Sequence, residues 1–85
     1  MELGAKNELI SNLDRLHTTA MGVMRIKKNL CLDSNDVVAW CKRRIEDPHS
    51  GVVRKGKNWY AVADDCEITV NAHSCTIITA HKLKK

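Results

Sequence analysis

Apolar positions recur with helical spacing in the first half of the chain and alternate in the second. Leu9, Leu13 and Leu16, with Ile10 beside them, predict an amphipathic helix from about residue 5 to 16. His17-Thr18-Thr19 breaks that pattern. Thr18 or Thr19 can cap a second helix, because a short hydroxyl satisfies the free N–H groups of a first turn. The second helix carries Ala20, Val23, Met24 and Ile26 and ends around Asn29. Gly22 costs it about 1 kcal/mol relative to alanine, so close packing or a ligand is expected beside that glycine. Asp33-Ser34-Asn35-Asp36 is the clearest start signal, combining cap residues with acids that suit a helix N-terminus. Val37, Val38, Cys41 and Ile45 give the third helix its apolar face, Lys42-Arg43-Arg44 its cationic last turn, and Pro48 its stop. Trp40, Met21 and Met24 read as core residues, and His49 as a loop residue.

Past Ser50 the period changes to two. Residues 51–54 and 58–62 predict strands about a turn at Lys55-Gly56, and Asp64-Asp65 marks the next turn. Cys66-Glu67-Ile68-Thr69-Val70 alternates as a half-buried strand does. Asn71-Ala72-His73-Ser74 reads as a loop, Cys75 to Ala80 as the last strand, and Lys82-Leu83-Lys84-Lys85 as a basic tail. The order predicts an α+β fold over residues 1–85 as one domain: two to three N-terminal helices packed on one face of a four-stranded antiparallel sheet.

Such a sheet leaves its other face open. Cys66, Ile68 and Val70 point one way, and Glu67, Thr69 and Asn71 the other. A two- or four-residue last loop places Thr76 and Lys82 with Thr69 and Asn71; a three-residue loop places Thr79 and His81 there.

Composition narrows the partners. No apolar run reaches the ~18 residues of a membrane span, and the first residues lack a basic stretch followed by an apolar one, so a cytoplasmic protein without a membrane partner is expected. Lys plus Arg is 14 against 10 for Asp plus Glu, and the resulting +4 admits RNA or another polyanion. Two Trp, one Tyr and no Phe argue against a sheet that stacks several bases. Cys31, Cys41, Cys66 and Cys75, with His17, His49, His73 and His81, show no zinc-site spacing, so no metal or cofactor is expected and the cysteines read as small buried hydrophobes. Asp14, Asp33, Asp36, Asp64 and Asp65 are accounted for by helix and turn positions, which disfavours a two-metal nuclease.

The polar inventory suits a phosphodiester. His17 sits at a helix start, Arg25 and Lys28 lie one turn apart, Lys55 and Lys57 flank a turn before Trp59 and Tyr60, and His73 and His81 bracket the last strand. The segments Leu16-His17-Thr18-Thr19, Gly22 with Arg25-Ile26-Lys27-Lys28-Asn29-Leu30, Lys55-Gly56-Lys57-Asn58-Trp59-Tyr60, Ile68-Thr69-Val70-Asn71 and Thr76-Ile77-Ile78-Thr79-Ala80-His81-Lys82 together resemble a small bacterial family of unknown function, over most of the chain from about residue 9. That resemblance implies no activity. Element order and the polar Thr79-Ala80-His81 ending also resemble the metal-independent ribonucleases that include barnase, the tRNA-cleaving colicins and the RelE-type toxins.

Two functions are therefore expected from the residues. In a ribonuclease, His17 or His81 acts as base, Arg25 and Lys57 stabilise the phosphorane, and Asn71 and Thr79 position the phosphate. Tyr60 or Trp59 then stacks on a base, with Lys28 and Lys55 as further nucleic-acid contacts. The alternative is a non-catalytic binder, either a nucleic-acid module or a phage- or mobile-element-encoded inhibitor that engages a host nucleic-acid-binding protein. The sheet's edge strands offer a route to a homodimer.

Overall fold

The computed structural model describes residues 2–32, 36–63 and 66–83. Helix α1 (Glu2–Ser11) leads through a 3-10 turn (Leu13–Arg15) to α2 (Ala20–Leu30) and α3 (Val37–Glu46). Strands β1 (Gly51–Lys55), β2 (Asn58–Ala63), β3 (Cys66–Asn71) and β4 (Ile77–Lys82) follow as an antiparallel meander in the order β1-β2-β3-β4. This is the expected α+β fold, with the helices N-terminal to the sheet.

Local chemistry sets the helix ends. The first helix stops at Ser11 rather than 16, because polar side chains there take up its last carbonyls. Ser11 Oγ donates to the Asn7 carbonyl at 2.9 Å, and Asn12 Nδ2 to the Glu8 carbonyl at 2.8 Å. Leu13 and Leu16 still reach the core, from the 3-10 turn and the extended residue after it. Thr19 caps α2, its hydroxyl accepting from the Gly22 N–H at 3.0 Å. Asp36 caps α3 by accepting from the Ala39 N–H at 3.0 Å; the rest of that start signal, residues 33–35, lies outside the described residues, as do the Asp64-Asp65 turn and Lys84-Lys85.

The core is one cluster between helices and sheet. Leu9, Ile26, Leu30, Val37, Cys41 and Ile45 meet Val52, Trp59, Ala61, Ile68, Val70, Ile77 and Ala80. Two expectations are corrected by the packing, for the α2 methionines and for Cys31. Helix α2 buries Gly22, Ile26 and Leu30, a stripe that turns Met21 and Met24 outward to 64% and 72% exposure. Cys31 is exposed, whereas Cys41, Cys66 and Cys75 are buried. Trp40 packs half-buried against the core, with the Arg44 guanidinium 4.9 Å above its ring.

The last strand is displaced as well, running 77–82 instead of 75–80, and its register is neither of the two expected. Thr69 pairs with Thr79, but Val70 pairs with Ile77, so Ile78 is the extra residue of a bulge. The bulge keeps Thr79 and His81 beside Thr69 and Glu67, and Thr76 beside Asn71; Lys82 pairs with Cys66 on the helix-covered side.

The two edges of the sheet are covered differently. His17 adds a parallel bridge to the start of β4, donating to the Cys75 carbonyl at 3.2 Å and accepting from the Ile77 N–H at 2.7 Å. Thr18 Oγ1 donates to the Ile77 carbonyl at 2.8 Å and Asn29 Nδ2 to the Ala80 carbonyl at 3.2 Å. At the other edge α1 packs on β1 and leaves Val52, backbone included, 3% exposed. Gly51, Val53, Arg54 and Lys55 stay exposed along β1, and the two cations at its end resist edge pairing.

Candidate functional site

The face of the sheet opposite the helices carries Val53, Tyr60, Thr69 and Thr79 in one cross-strand row. Beside it run Gly51, Val62, Glu67 and His81 on one flank, and Lys55, Asn58 and Asn71 on the other. Val53, Lys55, Tyr60, Val62 and Glu67 line a shallow depression of about 380 Å³ on this face. Tyr60 is half-buried and lines that depression. Glu67 and His81 stand opposite each other on β3 and β4, carboxylate to Nε2 at 3.7 Å, an ion-pair distance when the ring is protonated.

A second group gathers at the end of the sheet where the β1–β2 and β3–β4 turns meet. The Lys57 carbonyl accepts from the Ala72 N–H at 2.7 Å and joins the two turns. Gly56 sits at φ +57, which a two-residue hairpin of II′ geometry requires at its first central position. His17 Nδ1 lies 2.9 Å from the Arg15 carbonyl, which only accepts, so Nδ1 carries the hydrogen of the neutral ring. Nε2 then accepts from Thr76 Oγ1 at 3.0 Å, and Thr76 accepts from Ser74 at 2.7 Å. Ser74 also lies 3.3 Å from Asn71 Oδ1, which caps the turn by accepting from the His73 and Ser74 N–H groups at 2.9 and 3.1 Å. A second proton on His17 reverses the hydroxyls, so that the chain of donors ends on Asn71 Oδ1. Its geometry makes His17 a tie between the α1–α2 connection and β4.

The ten residues singled out in the sequence therefore divide into four places. Lys55, Tyr60, Thr79 and His81 share the open face. His17, Lys57 and Asn71 share the turn end. Arg25 and Lys28 lie on the outward face of α2. Trp59 is 2% exposed in the core, on the covered side by strand alternation, and cannot stack on a base. The four expected catalytic residues do not converge: His17 and His81 sit at opposite ends of β4, about 16 Å of strand apart.

Residues 10–81 match the family described as Protein of unknown function (DUF3781). The chain belongs to that family. No curated protein and no solved structure matches it. In this DUF3781 chain all but the last residue of the motif segments lie within the matched span, and several of them have structural work. Thr18 anchors α2 to β4, and a Cβ on Gly22 would run into the Thr18 hydroxyl, so close packing explains that glycine. The residue missed in the sequence is Glu67. Its strict alternation with Cys66 and Ile68 already placed it on the open face, but only the register of β4 shows that His81 faces it.

Among the described residues, no three His, Cys, Asp or Glu side chains gather to hold a metal ion. No helix among them is long and apolar enough to cross a membrane. Burial pushes the Cys41 thiol up to about 12, with the neighbouring Cys66 adding to the rise, so this cysteine is a protonated core residue at neutral pH.

Proposed function

We propose that this domain binds single-stranded RNA across the open face of its sheet. The observation that supports the reading best is Tyr60, half-buried in the depression with Lys55 beside it and the Thr69–Thr79 row next to it. A base stacks on the ring, the lysine offsets phosphate charge, and half-buried Thr79 offers its hydroxyl to the backbone. Lys57, exposed at the hairpin tip, extends the cationic side. Fluorescence anisotropy of a labelled unstructured RNA tests this. Tyr60→Ala weakens binding by about 1–3 kcal/mol, roughly five- to 150-fold. Unchanged affinity in Tyr60→Ala contradicts the stacking role.

A second reading, RNA cleavage, is favoured by one observation, the facing Glu67–His81 pair. Glu67 takes the ribose 2′-OH proton and the 2′-oxygen bonds to phosphorus. The P–O5′ bond breaks, protonated His81 gives its proton to the leaving oxygen, and a 2′,3′-cyclic phosphate remains. This reading keeps His81 and replaces His17 by Glu67. It predicts cleavage in EDTA that Glu67→Gln and His81→Ala each abolish while RNA affinity stays; an intact RNA after prolonged incubation removes it and leaves the binder.

A further inference from the structure

Helix α2 is apolar on two sides. Its packed side buries Gly22, Ile26 and Leu30, yet Met21 and Met24, one turn apart, project outward at 64% and 72% exposure. They are the most exposed large apolar side chains described, and with Arg25 and Lys28 they line a groove of about 350 Å³. Single exposed apolar residues are ordinary on a protein surface, but a paired, groove-forming set on one helix face is the pattern of a contact surface. The helix cannot roll to bury them, because Thr18 and Asn29 fasten its two ends to β4 carbonyls. The surface is thus presented on a fixed element, which lowers the ordering cost of binding.

We propose that this face of α2 docks an acidic amphipathic helix of a partner protein. Charge selects that occupant. Two cations of the groove, Arg25 and Lys28, flank the methionines, and the helix has no acidic residue, so a partner with carboxylates flanking its apolar stripe is complementary. A second copy of this chain brings the same cations against each other. A helical apolar stripe buries both thioether side chains along their length, since methionine adapts its shape to varied apolar knobs. The groove takes one or two such side chains, the i and i+4 anchors of a helix. The surface is separate from the open face of the sheet, so this inference stands whether or not RNA binds there.

The test is methyl NMR on the full chain, titrated with a designed peptide of about five helical turns that carries a leucine stripe flanked by glutamates. A scrambled peptide of the same composition, anionic phosphatidylglycerol vesicles and protein dilution are the control arms. The expected result is saturable shifts of the Met21 and Met24 methyl groups with the striped peptide. Binding weakens at least tenfold both in Met21→Ser with Met24→Ser and in Arg25→Glu with Lys28→Glu, each with circular dichroism unchanged. Equal binding of the scrambled peptide, wild-type affinity in either double variant, or methyl shifts produced by vesicles or self-association instead would overturn the proposal.

Discussion

Cys31 ends α2 in the left-handed region at φ +54, where the Leu32 N–H closes back on the Lys27 carbonyl at 3.0 Å. That position favours glycine, and a side chain there costs about 1 kcal/mol. Cys31→Gly is therefore expected to stabilise the fold by roughly that amount, read as a higher urea midpoint with unchanged slope. Cys41 gives a prediction with a pH signature. Its thiol stays protonated in the fold up to about 12, while the unfolded chain releases the proton near 9.0. The native state then holds more protons than the unfolded state, so stability falls as pH rises between those values, by about 1.4 kcal/mol per pH unit from this group. Cys41→Ala lowers overall stability by leaving a cavity, but it flattens the alkaline slope by that increment. An unchanged slope in urea titrations above pH 9.0 contradicts a buried, protonated thiol.

At the scale of elements, the docking of α2 on β4 decides much of the site. Gly22→Ala gains helix propensity, yet its Cβ meets the Thr18 hydroxyl that reaches the Ile77 carbonyl. We expect a net loss of about 1–3 kcal/mol in thermal or urea unfolding, as overpacking costs. Adding Thr18→Ala removes the clash, so the double variant should lose less than the sum of the singles. The helices, the strands and their order were legible in the chain because capping residues, Pro48 and the change of period act locally. What was not legible depends on long-range contacts. The bulge at Ile78 inserts an unpaired residue that alternation alone does not reveal, and it is what sets His81 opposite Glu67. The outward turn of Met21 and Met24 follows from which stripe of α2 meets β4, a choice fixed by Thr18 and Asn29 from across the fold.

For the whole molecule, six of the 14 lysines and arginines group on three surfaces. Lys55 and Lys57 border the open face, Arg25 and Lys28 rim the α2 groove, and Arg43 and Arg44 end α3. Part of the candidate site was readable, since Lys55, Tyr60, Thr79 and His81 do share a face, whereas Trp59 differs from Tyr60 by one residue and hence by one side of the sheet. If RNA lies on the open face, log affinity falls linearly with log salt, and the slope shrinks by about 0.7 for each of Lys55→Ala and Lys57→Ala. Arg43→Ala on α3 leaves that slope unchanged. The most direct test of the central claim is amide chemical-shift mapping during titration with an unstructured RNA. The open-face account predicts saturable shifts at Val53, Lys55, Tyr60, Thr69 and His81. Shifts confined to α2 and α3, or none that saturate, would contradict it.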